Sequence, residues 1–342
     1  MEQIDILRHI RTMYFSTSII WDLIEYGKIK GADVSALENN LFSTKTQKYV
    51  AYDDLVGALN YLHTALDDDC LGLHIAEHIS LKVTAPVNSI MLESKTLEES
   101  IKNAIDYSRL ISDALDCSLE TTDNHFSVIY QENPNWTVYQ TYAKQQVLDM
   151  ALLSNVKSLA AYTGHRCTPL CIHFNYPKPK NLHGYYRLFN CQLRFNRERS
   201  EIIFERNLFN KHAGRTEYGL LKNLKAKAAE EIKNLGSEHE LILELKKHIL
   251  NQKPARTTID DASQHLNQSR RTLQRKLKDL DTSFKRIEYE LQLRLAKTYL
   301  EEQQKSIDEI SYLLGFSESS VFIRFFKSLT SQTPLEYQKH PR

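Results

Sequence analysis

One stretch near the C-terminus, residues 258–334, constrains this chain most, because it contains the same pattern twice. The first copy begins Ile259-Asp260-Asp261-Ala262-Ser263, and the second begins Ile307-Asp308-Glu309-Ile310-Ser311, 48 residues later. Beyond the next serine the offset becomes 49 residues, so the second copy holds one extra residue past its turn. Because an internal repeat is the sequence signature of a repeated structural unit, we expect both copies to form the same local structure.

Each copy has the pattern of a short helix, a tight turn and a longer helix. A hydroxyl residue is followed three positions later by an acid, which is the spacing of a capping box. A residue that tolerates a left-handed backbone marks the turn, and a serine then stands where it can cap the second helix. These residues are Thr258, Asp261, Asn267 and Ser269 in the first copy and Ser306, Glu309, Gly315 and Ser317 in the second. The pattern predicts helix-turn-helix units at about residues 258–280 and 306–330, whose second helices enter the DNA major groove.

The second helix of each unit separates an apolar face from a polar one. The predicted apolar positions are Leu273, Leu277 and Leu280 in the first unit and Phe322, Phe326 and Leu329 in the second. The predicted DNA-contacting residues are Arg270, Arg271, Gln274, Arg275, Lys278, Ser319, Ser320, Ile323, Arg324 and Lys327. Arginine pairs bidentately with guanine, and glutamine pairs with adenine. We therefore expect the first unit to read bases more strictly than the second, which is less basic.

A helix predicted at about residues 284–302 joins the two units. Its 19 residues span roughly 28 Å at 1.5 Å per residue. That length is close to the ~34 Å between successive major grooves on one face of DNA. The spacing predicts that one chain places both recognition helices on the same side of a duplex.

The second copy also carries a longer motif, within residues 307–337. It consists of Leu314-Gly315-Phe316, Phe322, Arg324, Phe326-Lys327, Thr333-Pro334 and Tyr337. This motif resembles the signature of AraC/XylS-type transcription regulators, in which a glycine usually stands where this chain has Ser331. The resemblance implies binding to double-stranded promoter DNA.

Length and composition predict a soluble chain of two domains. A chain of 342 residues exceeds what one core usually serves, and 42% hydrophobic with 25% charged residues is typical of globular proteins. No apolar run approaches the ~20 residues of a membrane span, and the N-terminal segment lacks the apolar stretch of a signal peptide. We therefore expect a cytoplasmic protein with no membrane partner, and the AraC/XylS resemblance implies a bacterial protein that acts at the nucleoid.

Charge is distributed unevenly, although the net charge is only +1. Residues 251–342 carry 16 Lys and Arg against 12 Asp and Glu, and the other residues carry 28 against 31. The C-terminal region is therefore weakly basic. We expect its phosphate contacts to come from helix N-termini and a few cations.

The cysteines and acids give no pattern of a metal site. Five scattered cysteines predict reduced thiols. The nearest candidate ligands, which lack the paired spacing of a zinc site, are Cys167, Cys171, His165, His173 and His183. Asp67-Asp68-Asp69 lacks the spaced oxygens of a calcium loop, and we interpret it as an acidic helix N-cap. We predict no metal and no cofactor.

The first 210 residues alternate between helical and extended patterns. Helices are predicted at residues 4–30, 33–41, 52–66, 96–115, 136–162 and 182–188. Alternating runs at residues 117–122 and 126–131 predict a β-hairpin, residues 169–174 a strand, and residues 192–196 with 201–205 a second hairpin. We predict a multidomain protein, in which an α+β domain with a small, mostly antiparallel sheet precedes an all-α domain with the two helix-turn-helix units.

A second, looser set of motifs covers about residues 20–210. It consists of Asp68-x-Cys70-Leu71-Gly72-Leu73-His74, Ser94-x-Thr96-Leu97-x-x-Ser100, Ile172-x-Phe174 with Pro179, and Tyr186-x-x-Phe189-x-Cys191-x-Leu193-x-Phe195 through Leu208. These motifs resemble the arabinose-binding-type regulatory domain of the AraC/XylS subgroup that includes ornithine regulators and VirS-like proteins. The resemblance implies effector sensing and dimerisation. The long helices argue against a cupin-like jelly roll.

The patterns predict three segments: an effector-binding and dimerisation domain at residues 1–210, a helical linker at 211–250 and a DNA-binding domain at 251–342. The linker shows two charged helical runs separated by Gly236-Ser237. The first run is far shorter than the three or four heptads of a coiled coil, so we interpret it as a helix that bridges domains.

Three functions fit these patterns. The first is an effector-responsive transcription regulator, which we expect to be an activator that works as a homodimer with RNA polymerase. The second is a constitutive DNA-binding regulator whose N-terminal domain only dimerises. The third is an enzyme fused to a DNA-binding module, but no nucleophile elbow, phosphate-binding loop or H-E-x-x-H pair is present. We predict no catalytic residues.

The resemblance implies an amino-acid-like or lipid-like effector. Arg166, Lys178, Arg187 and Arg194 are candidate anchors for a carboxylate, but we interpret each of them as an ordinary surface charge. The sequence does not identify the residues that line the effector pocket.

Overall fold

A computed structural model describes residues 13–41, 48–79, 85–133, 141–164, 167–210, 218–252, 257–280, 282–330 and 332–339. Within these ranges the chain forms two compact units, an N-terminal one that extends to Asn234 and a C-terminal one that begins at Leu235. The predicted α+β and all-α classes are confirmed. No helix in the described ranges has the length and apolar character needed to cross a membrane.

The described part of the N-terminal unit contains a sheet of five strands: β3 (Leu115–Thr121), β4 (His125–Glu132), β5 (Cys171–His173), β6 (Gln192–Arg194) and β7 (Ser200–Glu205). Their order is β3-β4-β7-β5-β6. The predicted first hairpin is confirmed, since β3 and β4 pair antiparallel with Ser118 opposite Ile129.

The predicted second hairpin is wrong. Strand β6 pairs in parallel with β5, while β7 inserts between β4 and β5 and pairs antiparallel with both. The backbone amides of Asn196 and Arg197 donate to the carbonyls of Tyr176 and Phe174, which ties the turn to the segment after β5. Central placement buries Ile202 and Phe204 completely, and this burial favours β7 in the middle of the sheet.

A short antiparallel ladder replaces the first part of the helix predicted at residues 4–30. Strand β1 (Tyr14–Ser16) pairs with β2 (Tyr49–Ala51), and helix α1 (Thr17–Ile29) follows at once. Phe15 and Val50 are directly opposite each other and are both buried. The part of that prediction before residue 13 lies outside the described residues, as do the start of the 136–162 helix and His165.

The remaining helices of the N-terminal unit are α2 (Ser35–Leu41), α3 (Tyr52–Leu66), α4 (Leu71–His78), α5 (Ala85–Leu92), α6 (Leu97–Asp106), α7 (Thr141–Thr163) and α8 (His183–Phe189). The cap predicted at Thr96 is present, since its side chain accepts from the Glu99 amide. Helix α6 nevertheless ends at Asp106 rather than near Leu115, because a 3-10 turn at Ser108–Leu110 leads into β3.

The acidic run does not cap a helix with all three carboxylates. Asp67 ends α3 in a left-handed conformation (φ 51°), and Cys70 occupies the N-cap of α4. Asp68 accepts hydrogen bonds from the Cys70 amide at 2.9 Å and from His74 Nδ1 at 2.7 Å. The interpretation of this run as an N-cap was therefore wrong, because Cys70 is the N-cap residue and Asp68 only accepts from its amide.

Helix α9 (Tyr218–Asn251) runs unbroken through Gly236-Ser237, so the predicted pair of linker helices is one helix. A glycine inside a helix costs only about 1 kcal/mol, which the flanking turns offset. The rest of the C-terminal unit comprises α10 (Ile259–His265), α11 (Arg270–Asp279), α12 (Phe284–Glu302), α13 (Ile307–Leu313), α14 (Ser319–Thr330) and α15 (Pro334–Lys339). Helices α9 to α15 share one apolar cluster that extends from Leu245 to Tyr337.

Candidate DNA-binding helices and sensor cavity

Both copies of the repeat begin with a complete capping box. The Thr258 hydroxyl accepts from the Asp261 amide at 3.2 Å, and the Asp261 carboxylate accepts from the Thr258 amide at 3.1 Å. Ser306 and Glu309 form the same two bonds at 3.2 and 2.8 Å. The Thr258 hydroxyl and amide both donate to the Asp261 carboxylate, and the Ser306 amide and hydroxyl both donate to the Glu309 carboxylate. These bonds stabilise the charged carboxylates and so lower the pKa of both acids. The sequence-predicted starts of α10 and α13 are therefore confirmed.

The two turns are also equivalent. Asn267 and Gly315 adopt left-handed backbones with φ of 51° and 79°. In each turn the next amide bonds back to a buried serine carbonyl, from Gln268 to Ser263 at 2.9 Å and from Phe316 to Ser311 at 3.0 Å. Because the turn fixes the angle between the helices, α11 and α14 leave their short helices through the same backbone geometry.

The extra residue of the second copy lies in the turn before α14. Ser269 caps α11, with its hydroxyl accepting from the Thr272 amide at 3.1 Å. The equivalent residue before α14 is Glu318. The Phe322 amide donates to the Glu318 carbonyl, just as the Leu273 amide donates to the Ser269 carbonyl. The cap predicted at Ser317 is therefore wrong by one position.

Each recognition helix buries one side against the shared cluster. Leu273, Leu277, Phe322 and Phe326 are at most 1% exposed. Leu280 is half-buried, and Leu329 is 49% exposed, so its predicted place on the apolar face is wrong. Tyr337 of α15 packs edge-on against Phe326 at 5.4 Å, so α15 rather than Leu329 closes this end of the core.

The ten predicted DNA-contacting residues form five equivalent pairs, offset by 49 residues. The pairs are Arg270 with Ser319, Arg271 with Ser320, Gln274 with Ile323, Arg275 with Arg324, and Lys278 with Lys327. All five members in α11 are exposed, as are Ser320, Arg324 and Lys327 in α14, whereas Ser319 and Ile323 are half-buried. Eight of the ten residues thus lie on exposed helix surface.

The first pair contacts the protein itself. The Arg270 guanidinium lies 3.1 Å from Asp260 of α10, and the Ser319 hydroxyl donates to Asp308 of α13, the matching acid. Each recognition helix is thus tied at its first residue to the short helix before it. An exposed ion pair contributes only about 0–1 kcal/mol, so this contact orients Arg270 without locking it.

Helix α12 connects the two helix-turn-helix units and has the predicted bounds. Ser283 caps it, and Ile287, Leu291 and Leu295 are buried. The buried Gln292 side chain donates to the Leu314 carbonyl at 2.8 Å, at the end of α13. Packing and hydrogen bonding thus join α12 to the second unit. That both recognition helices reach one side of a duplex stays a prediction.

The N-terminal unit contains a cavity of about 170 Å³. It is lined by the start of α1, by α5, α6 and α7, by β3 and β4, and by the segment between α6 and β3. Its described lining residues are Phe15, Ile19, Ile79, Val87, Asn88, Met91, Ile101, Ala104, Ile105, Ser108, Ile111, Ser112, Ala114, Leu115, Cys117, Val128, Tyr130, Val147, Met150, Ala151, Ser154, Asn155 and Ser158. None of these side chains is charged.

The proposed carboxylate anchors lie elsewhere. Arg187 forms two hydrogen bonds with Glu77, at 2.5 and 2.7 Å, and Lys178 and Arg194 are exposed. None of the three lines the cavity, and Arg166 lies outside the described residues. Arg187 is therefore an ion-paired surface residue rather than an effector anchor.

The candidate metal ligands are not gathered together where the structure describes them. His173 Nδ1 pairs with Glu201 at 2.8 Å, and Cys171 is buried beside it in β5. Among the described residues no group of three or more His, Cys, Asp or Glu has the arrangement of a metal site.

The sequence patterns did not identify two residues of the cavity wall, Tyr130 of β4 and Asn155 of α7, as candidate site residues. The Tyr130 hydroxyl and the Asn155 side-chain oxygen are buried and have no hydrogen-bond partner among the described residues. The only indication in the sequence is that the polar Asn155 stands among the apolar positions of α7. The sequence does not show that Asn155 and Tyr130 come together, because β4 and α7 meet only through tertiary packing.

A ligand-sized cavity in one unit and paired helix-turn-helix units in the other define a one-component transcription regulator. The model for the arabinose-binding domain of AraC transcription regulators matches residues 41–213, and a helix-turn-helix domain model matches residues 262–340. The chain belongs to the AraC family of DNA-binding transcription regulators. These families and relatives are regulators, not enzymes.

Individual relatives cover different parts of the chain. An ornithine utilization regulator of Pseudomonas aeruginosa is 22% identical over 83% of both chains. The transcriptional activator PerA of Escherichia coli O127:H6 is 34% identical over 23% of this chain and 29% of its own. The crystal structure of the transcriptional regulator CdpR from Pseudomonas aeruginosa aligns over 94% of this chain and 98% of its own, with 13% identity and a TM-score of 0.45.

Proposed function

We propose that this regulator contacts promoter DNA through the outward faces of α11 and α14. One observation carries the proposal: the two copies share capping boxes and left-handed turns, and all five positions in α11 and three of the five in α14 are exposed. Arg271, Gln274 and Arg275 supply the geometry for reading guanine and adenine edges. Lys278 and Lys327 supply phosphate contacts, which position the protein without reading sequence.

We further infer that the N-terminal unit binds a small effector that changes DNA binding. A ligand shifts a conformational equilibrium only if it binds one state more tightly than the other. Helix α9 belongs to both units, so a change in the sensor has a continuous element to act on. We propose effector sensing within residues 1–210, a helical linker at 211–250 and DNA binding within 251–342.

The finer functional assignments follow the relatives. PerA is a transcriptional activator, and we propose activation here too, through contact with RNA polymerase at the bacterial nucleoid. We also propose that the protein acts as a homodimer. A constitutive regulator, whose N-terminal unit has no effector, is the alternative, and the cavity argues against it.

The base-reading role is tested with Arg275→Ala in the full chain. Operator fragments are first selected from genomic DNA, and Kd is then measured at fixed salt on the operator and on single-base variants. We expect Arg275→Ala to weaken operator binding by about 1–3 kcal/mol and to lose discrimination at one base pair. Lys276→Ala is the matched control, because Lys276 is exposed on the same helix but points away from the proposed face. Equal affinity of Arg275→Ala and the parent would refute the role.

A further inference from the structure

We propose that the sensor cavity binds an uncharged, largely apolar molecule about the size of one substituted benzene ring, whose single hydroxyl group is held between Tyr130 and Asn155. This inference deepens the proposed effector response and rests on it. It names the chemistry that the cavity selects and disfavours a free amino acid.

The size of the cavity sets the size of the ligand. An apolar protein cavity of about 150 Å³ stays dry and holds a benzene molecule. The cavity here is slightly larger, at about 170 Å³. Aliphatic and aromatic side chains from α1, α5, α6 and α7 form most of its wall, including Phe15, Val87 and Met91. An apolar ligand that covers this wall removes apolar surface from water, which makes its binding favourable.

The charge of the wall sets the charge of the ligand. No Asp, Glu, Lys, Arg or His is among the described lining residues. The nearest candidate for a charge, the Cys117 thiol, is kept neutral because burial raises its pKa to about 12. An unpaired carboxylate or ammonium group loses its hydration in such a site and is strongly disfavoured. The described part of the wall therefore disfavours a zwitterionic amino acid.

Most polar groups in the wall are already satisfied. The Ser158 hydroxyl donates to Asn88 at 3.0 Å, and the Ser108 and Ser112 hydroxyls donate to backbone carbonyls at 2.8 Å. These groups have no need of a ligand.

Tyr130 and Asn155 differ from the other polar residues of the wall. The Asn155 side chain lies close enough to the Tyr130 hydroxyl for a hydrogen-bonding contact that lowers the pKa of Tyr130. Even so, the Tyr130 hydroxyl donates to no acceptor and the Asn155 oxygen accepts from no donor among the described residues. Burial raises the pKa of Tyr130 well above its ordinary value, so its hydroxyl stays protonated and can donate. The Asn155 oxygen can only accept. A ligand hydroxyl meets both needs, because it accepts from Tyr130 and donates to Asn155.

The experiment measures binding of four probes to the full-length protein by calorimetry. Toluene and p-cresol differ by one hydroxyl, p-toluate carries a carboxylate on the same ring, and L-ornithine represents a charged amino acid. We expect p-cresol to bind most tightly, toluene roughly three- to tenfold more weakly because one hydrogen-bonded group is missing, and neither charged probe to bind.

Variants assign the effect to the two residues. Tyr130→Phe and Asn155→Leu should each bring p-cresol binding close to that of toluene and leave toluene binding unchanged. Tyr186→Phe is the control, because Tyr186 is 53% exposed and does not line the cavity. Ala151→Phe should block both neutral probes by filling the cavity. If that variant does not fold, the toluene and p-cresol comparison in Tyr130→Phe still decides the question.

The proposal is overturned if p-toluate or ornithine binds as tightly as p-cresol, if no neutral probe binds, or if both hydroxyl-directed variants retain full preference for p-cresol. Operator binding by the same preparations separates the two levels. A protein that binds operator DNA but none of the probes keeps its function as a regulator and refutes only the ligand. Loss of operator binding in the parent protein refutes the proposed function itself.

Discussion

The two helix-turn-helix units share one backbone design and carry different surfaces. Their capping boxes, left-handed turns and back-bonded serine carbonyls match bond for bond. Their outward faces differ, since α11 presents four cations and a glutamine where α14 presents two cations, two serines and an isoleucine. The difference teaches that local hydrogen bonding specifies the unit, while the residues on one helix face specify what it recognises.

Their cores differ as well. The first unit packs leucines such as Leu273 and Leu277, whereas the second packs a chain of aromatic rings. The ring centroid of Phe316 lies 5.5 Å from that of Phe322 and 4.9 Å from that of Phe325, and the centroids of Phe322 and Phe326 are 5.9 Å apart. Aromatic rings bury more apolar area than leucines do, so we expect the second unit to contribute more stability and the first more base reading.

The largest expected effect concerns stability. Phe322→Ala should lower the free energy of unfolding of the C-terminal unit by about 3–5 kcal/mol, and Leu273→Ala by about 2–5 kcal/mol. Denaturant unfolding of the full chain measures both, with Leu329→Ala as an exposed control within about 0.5 kcal/mol of the parent. Because one apolar cluster contains residues of both helix-turn-helix units, each core variant should destabilise both of these units together. Unfolding of only one helix-turn-helix unit in a variant would show that the two fold independently.

The next effect separates base reading from positioning. Arg275→Ala should lose about 1–3 kcal/mol of operator binding with base discrimination, as proposed above. Arg324 occupies the equivalent position in the less basic helix α14, so we expect Arg324→Ala to weaken binding more uniformly across single-base operator variants. If Arg324→Ala relaxes base discrimination more than Arg275→Ala does, the first unit is not the stricter reader of bases.

The capping boxes should behave alike in both units. Thr258→Ala and Ser306→Ala should each cost about 1 kcal/mol of unfolding free energy, because each leaves a helix amide without its acceptor. Thermal or denaturant melts of the two variants measure the difference. A much larger loss in one of them would show that the surrounding core, rather than the cap, differs between copies.

The same boxes give a pH dependence with a defined sign. The pKa of Asp261 and of Glu309 is lower in the folded protein than in the unfolded chain. The stabilisation is therefore present above the unfolded values of about 3.9 and 4.3, and it is lost as pH falls through the lower folded values. Asp261→Asn should flatten the acid limb of the stability curve. A steeper acid limb in that variant would contradict the assignment.

The smallest effect concerns the contacts that tie each recognition helix to its short helix. Asp260→Asn and Asp308→Asn should change stability by less than about 0.5 kcal/mol, because both contacts are exposed. Asp260→Asn should still raise DNA affinity more than Asp308→Asn does, since it releases the charged Arg270. Binding isotherms at low salt measure the two variants, and equal affinities would show that Arg270 plays no part in DNA contact.

Much of this protein was predictable where the cause is local. Capping boxes, turns and the bounds of α3 and α12 depend on residues within a few positions of one another, and residues such as Thr258 and Gly315 indicate them in the sequence. The first hairpin was predictable for the same reason, because β3 and β4 are joined by a short turn. The faces of α11 and α14 followed from helical periodicity, apart from Leu329.

The errors arose where distant segments compete for the same partner. The pairing of β7 with β4 and β5, and of β6 with β5, depends on which strand gains most from a central place, and alternation alone does not rank the choices. The strand at Tyr14–Ser16 forms only because Val50 and its neighbours come back to pair with it. Leu329 is 49% exposed, although helical periodicity places it on the same face as Phe322 and Phe326.

The sequence by itself determined the family, the repeated DNA-binding unit and the residues on its outward faces, because hydrogen bonds and periodicities of short range specify them. Only the tertiary structure decided the strand order, the unbroken course of α9 and the cavity that brings Tyr130 and Asn155 together. The physical reason is that burial rewards contacts between segments far apart in the chain, and their partners are settled by packing rather than by any local pattern.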